Sequence, residues 1–555
     1  MRTRIVFLIM ILAACSARVA GEGTKQIAPT STDSSRLCLD RNRNMFAFFD
    51  ASPDFRLNIR VASISEKICF GLGSILAKES SQAVQFRVRD PGGNIILGPS
   101  PIPSSGKGYI SGYDQDTLGP FPALGGYDPI RIFPTSPGDY SLEFYYPPDQ
   151  GSTYSLSSYV RFRYFDVAVM DAGDREIPGR VWSRSWQFNC GLVQRPPTFS
   201  RFHGTMYILS DDSIVTSINC NGFVGGTFTI SSNKSGCYET GDIEIDRQSQ
   251  TGFHTIPQYK LFLSPPDSIE FPTGKAAPGL IQPFQVTAHC ETGGVDLGIK
   301  VTMNGILEVL IKIDTTSGAG PRDVKITSNV KVNPGGNGYN IIRWNGKDGL
   351  GNPVPNGTTV TTTVRFIHGI THMPLYDIEY NDNGFIVEVV RPAGSKPDIY
   401  WDDSLLPGMP SINLTGCSDA VGCHLWDIEK GDTNTINTWW YVASSFAPTV
   451  TFSVKRAPGA PGAIIGDKEF CVGGIDRSYS CSRSTLSTAY IWSYSGTGCT
   501  LTPADTSAGI HFDSTATSGM LTVSGYNAEC GAGPASELPI TFYGIPLVSM
   551  TAPDS

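Results

Sequence analysis

The sequence predicts an all-β protein built of tandem antiparallel β-sandwiches, and three observations support this class. Apolar and polar residues alternate with period two in most interpretable segments, as at Val84, Phe86 and Val88, and this alternation is typical of strands with one buried face. The 555 residues include 60 glycines and 39 prolines, which suits many short strands joined by turns. Helical periodicity is nearly absent, and one short helix is expected from Ile68 to Ala77.

Segments rich in Pro, Gly and Ser mark the expected domain boundaries, because they favour turns and linkers over regular pairing. The clearest linker runs from Ala457 to Gly462, and a second seam runs from Ser264 to Pro283. The predicted order is a signal peptide over 1–20, a β-sandwich over 36–167, a second β-rich domain over 168–295, an Ig-like sandwich over 296–370, a Trp-rich β extension over 371–456 and a final sandwich over 457–545.

The N-terminus has the features of an export signal. An apolar run from Ile5 to Ala14 follows two arginines and is shorter than the roughly 20 residues that span a bilayer. The four residues that end at Cys15, Leu-Ala-Ala-Cys, resemble the bacterial lipobox, in which the cysteine is lipidated and becomes the first residue of the mature chain. Ordinary cleavage a few residues later, for example after Ala17 or Gly21, is the alternative. We therefore expect an exported protein at the cell surface or outer membrane or in the extracellular space. A lipid on Cys15, which only the lipobox interpretation implies, is the one membrane contact considered.

Cysteine usage is consistent with export. Twelve of the 13 cysteines follow the predicted signal, and an even number in an exported chain indicates disulfides. Cys220 with Cys237 and Cys417 with Cys423 are the expected local pairs, while the full connectivity stays open. The first pair would contribute roughly 3 kcal/mol in the chain-entropy model. No CxxC pair or regular Cys/His spacing indicates zinc.

Residues 343–358, RWNGKDGLGNPVPNGT, lie between two predicted strands. A phosphate-binding loop requires a following helix, and the Thr/Val-rich strand that follows excludes that interpretation. Calcium requires six or more oxygen ligands; Asp348 and Asn352 supply few, and Lys347 opposes them. A structural turn is the favoured interpretation, and calcium at Asp348 and Asn352 is the weaker one. Calcium is also the one cofactor considered for the protein.

The residues from Trp344 to Gly357 resemble the W-D-G-x-D-x-x-G-x-x-V-x-x-G signature of the Ig-like domain of flagellar hook-cap proteins. Asn345 replaces the usual aspartate. The resemblance covers roughly 298–369 and implies an accessory β-sandwich without catalytic residues.

A second resemblance lies near the C-terminus. It rests on Pro461–Gly466, Ala489–Trp492, Ile510–Phe512 and Leu521–Asn527. These segments resemble the PKD-like domain of Bacteroidota surface proteins. The resemblance implies a spacer or adhesive module of the kind found in adhesins, gliding-motility proteins and secreted hydrolases.

The best metal candidate is the pair His368 and His372, with Asp377 and Glu379 following. Two imidazoles at HxxxH spacing share a face on a helix, which the nearby Gly369 disfavours. A polar loop that enters a strand is the alternative interpretation, so this metal site is a weak prediction.

Aromatic residues supply the candidate ligand-binding set, namely Trp182, Trp186, Trp439, Trp440 and Tyr441. Their rings could stack on sugars. In a strand, however, Trp439 and Tyr441 share one face while Trp440 takes the other, so at least one belongs to the core. Core packing is the favoured interpretation.

Glycoside hydrolysis requires two carboxyl groups across a cleft. The acids beside tryptophans are Asp402 and Asp403 at Trp401, and Asp427 and Glu429 at Trp426. Solvated turns are favoured for both sets, and no sequence motif of a hydrolase, metalloprotease or nucleotide-binding site accompanies them. We therefore assign no catalytic residue.

The sequence favours a non-enzymatic, exported structural or adhesion protein that contacts glycans or proteins of a cell surface. The net charge of −9 argues against a nucleic-acid partner. One alternative is a polysaccharide-binding or polysaccharide-active accessory protein with its site in residues 36–295. Another is a component of a gliding-motility or secretion apparatus.

Overall fold

The computed structural model describes residues 21–40, 45–76, 84–146, 159–191, 200–273, 280–302, 304–314, 320–332, 334–394, 396–408, 411–428, 430–446 and 449–544. The signal peptide and Cys15 therefore lie outside the described residues. The chain forms two compact units. The first comprises Met1–Ala277 and Ile367–Ser444, and the second comprises Pro278–Phe366 and Ser445–Ser555.

The protein is all-β, as predicted. The strands up to residue 262 are β1 (Glu22–Gly23), β2 (Arg36–Asp40), β3 (Leu57–Val61), β4 (Lys67–Gly73), β5 (Ile75–Leu76), β6 (Gln85–Arg89), β7 (Ile95–Pro101), β8 (Tyr109–Ile110), β9 (Ile130–Ile132), β10 (Gly138–Tyr145), β11 (Tyr159–Phe162), β12 (Phe165–Met170), β13 (Glu176–Ile177), β14 (Val181–Ser183), β15 (Ser185–Asn189), β16 (Thr205–Leu209), β17 (Val215–Asn219), β18 (Thr227–Ser231), β19 (Gln250–Thr251) and β20 (Lys260–Phe262). The short helices of the described chain are α1 (Thr24–Ile27), α2 (Tyr113–Leu118) and α3 (Ile243–Asp246), with 3-10 turns at Pro53–Phe55 and Pro122–Leu124.

The remaining strands are β21 (Leu280–His289), β22 (Gly294–Val301), β23 (Gly305–Lys312), β24 (Val324–Val330), β25 (Asn340–Trp344), β26 (Thr359–Tyr376), β27 (Ile386–Arg391), β28 (Ile399–Asp402), β29 (Ile412–Cys417), β30 (Asn434–Phe446), β31 (Val450–Ser453), β32 (Glu469–Cys471), β33 (Ile475–Ser480), β34 (Ala489–Tyr494), β35 (Cys499–Ala504), β36 (Ser507–Phe512), β37 (Gly519–Asn527) and β38 (Gly531–Tyr543).

The first unit is built on large antiparallel sheets that share one core. One sheet has the order β27-β17-β16-β20-β14-β3-β10-β6-β7, and a second follows β29-β28-β30-β26-β18-β15-β2-β11-β5. A smaller sheet joins β1-β12-β4-β8. The alternation that predicted β6 places Phe86 and Val88 in this core, opposite Phe144 and Leu142 of β10.

Strand pairing joins three segments that the sequence analysis treated as separate domains. Ile59 of β3 pairs with Val181 of β14, which crosses the predicted boundary between 167 and 168. Ile218 of β17 pairs with Val387 of β27, which brings the predicted extension from 371 into the same sheet. The structure thus places most of 36–167, 168–295 and 371–456 in one unit. Segments rich in Pro, Gly and Ser could not reveal this grouping, because they mark turns of the chain both within a domain and between domains.

The short helix expected from Ile68 to Ala77 is wrong; this segment contributes β4 and β5. Ile68, Phe70 and Leu72 are all buried along β4, and Gly71 lets the ring of Tyr127 pack against the backbone. A strand buried on both faces shows a continuous apolar run, which resembles a buried helix in the sequence.

The second unit contains two β-sandwiches. In the first, β21-β22-β25 form one sheet, while β23 pairs with β24 and with the start of β26, which also pairs with β31. In the second, the sheets are β32-β38-β37-β34 and β33-β36-β35. Each sandwich has its own core, the first around Trp344 and Phe366 and the second around Trp492 and Phe512.

Candidate functional site

The loop of residues 343–358 is a tight turn whose oxygens are engaged by the protein itself. Asp348 accepts hydrogen bonds from the amides of Leu350 and Asn352 at 3.1 and 2.8 Å. Its second oxygen pairs with Nε of Arg322 at 3.0 Å. This contact with Arg322 lowers the pKa of Asp348 below its ordinary value.

These contacts favour the structural turn over calcium. The Asp348 carboxylate bonds the turn amides and a guanidinium, and the amide of Asn352 donates to it. A calcium ion would have to displace Arg322 and find further oxygens. Asp348 and Asn352 are therefore assigned to turn closure.

Arg456 connects the same turn to the C-terminal sandwich. Its guanidinium donates to the carbonyl oxygens of Val354 and Gly346 at 2.8 and 3.0 Å. Its own carbonyl accepts from the side-chain amide of Asn527 in β37 at 3.2 Å. Gly293 fits against the guanidinium, because a Cβ at that position would lie 2.7 Å from the Arg456 side chain. The turn thus serves as the docking point for the linker between the two sandwiches.

A disulfide closes this joint. Cys290 follows β21 and is bonded to Cys530, which lies between β37 and β38, across a sequence separation of 240. The carbonyl of Cys290 also accepts from the amide of Ala457 at 2.8 Å. We name the set Cys290, Cys530, Arg456 and the 343–358 turn the sandwich joint. Sequence spacing could not reveal this disulfide, because residues so far apart leave no local pattern.

The local disulfide predictions had different outcomes. Cys417 and Cys423 are bonded, as predicted, and close a short loop after β29. Cys220 and Cys237 are not bonded to each other; both are buried free thiols. Strand β18 lies between them and carries the chain about 17 Å at 3.3 Å per residue, so nearness in sequence did not mean nearness in space.

The predicted histidine pair does not converge. His368 and His372 both lie in β26, where four residues span roughly 13 Å. His372 is buried and its Nδ1 lies 3.0 Å from the side-chain amide nitrogen of Asn437. Burial lowers the pKa of His372 to about 3. The two imidazoles therefore cannot share one metal ion in this fold.

The acids that follow these histidines do come together with a third. Single carboxylate oxygens of Asp377, Glu379 and Asp432 lie within 4.8 Å of one another. Asp377 is tied to the neighbouring turn, since it accepts from the amide of Thr433 at 3.3 Å. The cluster is a carboxylate-rich corner of the first unit that does not include either histidine.

A buried hydrogen-bonded group joins Asp403, one of the acids beside Trp401, to His424, Thr438 and Ser249, which the sequence analysis did not single out. Nε2 of His424 lies 2.8 Å from Asp403, and Nδ1 lies 2.7 Å from Oγ1 of Thr438. Ser249 donates to the other oxygen of Asp403 at 2.7 Å. Trp401 stacks on the imidazole at 4.7 Å between centroids. The order hydroxyl–imidazole–carboxylate resembles a catalytic triad, but His424, Asp403 and Thr438 are each 0% exposed.

An open groove of about 470 Å³ is lined in part by Ser411 and Trp426, which contact Trp401 and His424 of this buried group. We name it the Trp426 groove. Its lining residues are Asn381, Asp382, Gly408, Ser411, Leu425, Trp426, Asp427 and Lys430. Asp427 and Lys430 form an exposed ion pair at its rim, and Ser411 accepts the indole N–H of Trp401 at 2.8 Å. The groove thus presents charged groups, an amide, one hydroxyl and one aromatic ring.

Of the predicted aromatic ligands, the two earlier tryptophans are packing residues. Trp186 is fully buried, stacks on Phe188, and donates its indole N–H to the carbonyl of Leu261 at 3.0 Å. Trp182 is 7% exposed, and the ammonium of Lys260 lies 4.9 Å from its ring centroid. Neither ring offers a free face to a sugar.

The later aromatics divide as the strand period predicts. Trp440 is in the core and donates to Thr216 at 3.1 Å. On the other face, Trp439 stacks on His372, and Tyr400 stacks between Trp439 and Tyr441. Trp439 is only 5% exposed. Tyr441 is half-buried and is therefore the most accessible member of the predicted set.

Within the described residues, no helix combines the length and apolarity needed to cross a membrane.

Comparisons with known proteins identify one module. The family profile of the PKD-like domain matches residues 457–540. Among solved structures, chicken CNTN1 FN1-FN3 domains are 11% identical, with 59% of this chain and 94% of that chain covered and a TM-score of 0.18. Chimeric titin Z1Z2 functionalized with a peptide from decorin is 10% identical, with 48% and 98% covered and a TM-score of 0.15. Both TM-scores are too low for either likeness to bear on function. The sequence gives no significant match to curated proteins.

Proposed function

We propose that the protein is a non-enzymatic, exported structural or adhesion protein, in which a rigid tandem of sandwiches supports a surface that contacts cell-surface glycans or proteins. The sandwich joint is the observation that carries this proposal. A disulfide, an arginine clamp and a glycine-rich turn all act on the linker between two modules. A fixed linker suits a protein that holds other surfaces at a set distance.

The buried, hydrogen-bonded side chains around His424 support a non-catalytic role. A nucleophile and its base must reach a substrate, whereas Thr438, His424 and Asp403 are sealed from solvent. Their hydrogen bonds satisfy one another inside the first unit. These hydrogen bonds therefore hold the imidazole on which the partly buried Trp401 stacks, rather than serving a reaction.

The setting that fits this role is a bacterial cell surface. The PKD-like module at 457–540 and the hook-cap-type signature at Trp344–Gly357 are accessory sandwiches in the proteins they resemble. The leader and the disulfides are consistent with export. Attachment through a lipid on Cys15 and release after signal cleavage are the two modes of display that the leader allows.

A binding and turnover assay tests the proposal. The purified exported protein is applied to arrays of polysaccharides and extracellular proteins, and each bound ligand is then incubated with it and analysed for new reducing ends or new peptides. We expect retention on a ligand class without products. Product formation that disappears in Thr438→Val, which removes a hydroxyl at nearly constant volume, would establish an enzyme instead.

A polysaccharide-binding accessory role is the second candidate, and the Trp426 groove is the observation that favours it. Asp427 is 86% exposed and Lys430 is 36% exposed at its rim, so both can bond sugar hydroxyls. Asp427→Ala and Lys430→Ala should each weaken oligosaccharide binding at least severalfold. Asp476→Ala, at a similarly exposed acid in the C-terminal sandwich, is the matched control and should bind normally. Equal binding by all three variants would remove the groove from consideration.

A further inference from the structure

The segment that follows the predicted leader is an integral part of the first unit. Strand β1 pairs with β12, with Glu22 opposite Val167 and Gly23 opposite Asp166. Thr24 then exchanges hydrogen bonds with the backbone of Phe165 at 2.8 and 3.3 Å. Residues 21–24 are buried. Residues 21–24 are thus held in the first unit by strand pairing and hydrogen bonds.

This buried start lies in a cluster of acids. Asp116 and Asp166 are 0% exposed and Glu22 is 1% exposed, and Glu176 is half-buried. Within the described chain, their one ion pair joins Lys25 to Asp166 at 3.3 Å. Tyr127 donates to the other oxygen of Asp166 at 2.8 Å. Arg36 is the further cation whose charge acts on Asp116.

Several carboxylate oxygens of the cluster lack a hydrogen-bond partner among the described residues. They are both oxygens of Asp116, Oε1 of Glu22 and Oε1 of Glu176. Burial raises the pKa of Glu22 and of Glu176 to about 8, and raises those of Asp116 and Asp166 as well. A buried carboxyl group without a partner stays protonated, whereas a nearby cation allows it to ionise, so the cluster is suited to bind a further cation.

Gly21 lies next to the buried acids, where a positive charge would stabilise their ionised form. A Cβ built on it would lie 1.9 Å from Oδ1 of Asp166, so its Cα touches this carboxylate. Its amide faces the carboxylate of Glu176. Its φ of +62° and the lack of space both favour glycine. A charged nitrogen at this residue would sit between two acids.

We propose that the mature chain begins at Gly21 and that its α-ammonium group is the counter-ion of the buried acidic cluster. A signal peptidase hydrolyses the Ala20–Gly21 peptide bond, so that water supplies the hydroxyl of the Ala20 carboxyl group and the proton of the new amine, which is further protonated from solvent. The ammonium then has three N–H donors, whereas the amide of the uncleaved chain has one.

Geometry favours the chain's own ammonium over a metal ion. Within the described chain, these acids do not bring three carboxylate oxygens within 4.8 Å of one another, as Asp377, Glu379 and Asp432 do. A signal-peptidase site usually has small residues one and three positions before the cleaved bond. Ala20 fits the first of these positions, whereas Arg18 does not fit the second. The position of Gly21 between two acids therefore carries the assignment.

Mass spectrometry of the exported full-length product tests the first half of the proposal. The expected N-terminal peptide begins at Gly21 with a free amine. A lipidated Cys15, or a chain that begins at Arg18 or Glu22, would overturn it.

Amine reactivity tests the second half on the same material. An amine-acylating reagent should modify the Gly21 α-amine at least tenfold more slowly in the native protein than in the urea-unfolded protein. Asp166→Asn combined with Glu176→Gln should restore the reactivity while the N-terminus stays at Gly21. A native amine that reacts as fast as an unfolded one would show that it is not the counter-ion.

Discussion

The role of His372 in the structure differs from the role that the sequence suggested. The sequence suggested a metal ligand, whereas the structure places its ring between Asn437 and the stacked face of Trp439. The signal that could have revealed this is the apolar neighbourhood of Ile367, Ile370 and Met373, which predicts a strand with buried positions. A histidine at such a position is neutral, because burial opposes its protonation.

The titration of His372 gives a testable pH dependence. Its pKa is about 3 in the folded protein and near 6.5 in the unfolded chain, so only the unfolded chain binds the proton between these values. Stability is therefore complete above pH 6.5 and falls as the pH drops towards 3. Between pH 7.5 and pH 5, urea unfolding should show a loss of about 2 kcal/mol from this residue.

His372→Gln should remove that part of the pH dependence, and His511→Gln is the control. His511 has a half-exposed ring beside Asp476 on the surface of the C-terminal sandwich. If both variants keep the wild-type loss of stability in acid, the burial of His372 does not cause it.

Substitution of Asp403 tests whether the buried hydrogen bonds around His424 stabilise the fold. Asp403→Ala leaves His424 and Ser249 without their shared partner in the core, so we expect the free energy of unfolding to fall by about 3–5 kcal/mol. Asp427→Ala removes an acid that is 86% exposed and should change it by less than about 0.5 kcal/mol. Chemical denaturation followed by tryptophan fluorescence measures both. A loss smaller for Asp403→Ala than for Asp427→Ala would contradict the structural role.

At the level of elements, alternation in the sequence predicted strands well where one face is polar. Phe86 and Val88 in β6 are buried as expected, and Val360, Val364 and Phe366 are buried on one face of β26, which contains the predicted Thr/Val-rich strand. The pattern failed for β4, because Ile68, Phe70 and Leu72 belong to a strand buried along most of its length. It also could not show that Arg456 clamps the 343–358 turn, since the donor and its acceptors are about a hundred residues apart.

Arg456 provides the test of the sandwich joint as an element. Arg456→Met keeps most of the side-chain volume but leaves the carbonyls of Val354 and Gly346 without their donor. Because hydrogen bonds to charged groups are the stronger kind, we expect a loss of about 2 kcal/mol. Scanning calorimetry should assign this loss to the transition of the second unit.

Arg343→Met is the matched control for Arg456→Met. Arg343 is 79% exposed and its nearest acid, Asp296, lies 3.6 Å away, so its loss should cost less than about 1 kcal/mol. Equal destabilisation by the two variants would mean that Arg456 is an ordinary surface arginine.

At the scale of the whole molecule, sequence analysis identified the class and the last module but not the grouping of the rest. The PKD-like segment was found because its strands and turns follow one another within 457–540. The first unit combines Met1–Ala277 with Ile367–Ser444, so its sheets depend on pairs such as Ile218 with Val387. No local pattern encodes such pairs. The Cys290–Cys530 disulfide could not be predicted from the sequence for the same reason.

The Cys290–Cys530 bond has a mechanical consequence for the complete chain. The two residues are 240 positions apart, so the bond closes a loop that contains residues 291–529. A force applied to the two ends of the chain passes through the bond and cannot extend that loop. A spacer or adhesion protein benefits from such shielding, because the enclosed residues 291–529 are not stretched when a contact is pulled.

Single-molecule stretching of the protein by its two ends therefore tests the central claim most directly. We expect the Cys290→Ser/Cys530→Ser variant to extend by roughly 80 nm more than the wild type at full unfolding, at about 3.5 Å for each of the 240 released residues. The wild type should show no extension of residues 291–529, whereas β38 (Gly531–Tyr543) lies outside the closed loop and can still be pulled away. Equal total extension of the two proteins would contradict a disulfide-locked tandem as the basis of this protein's function.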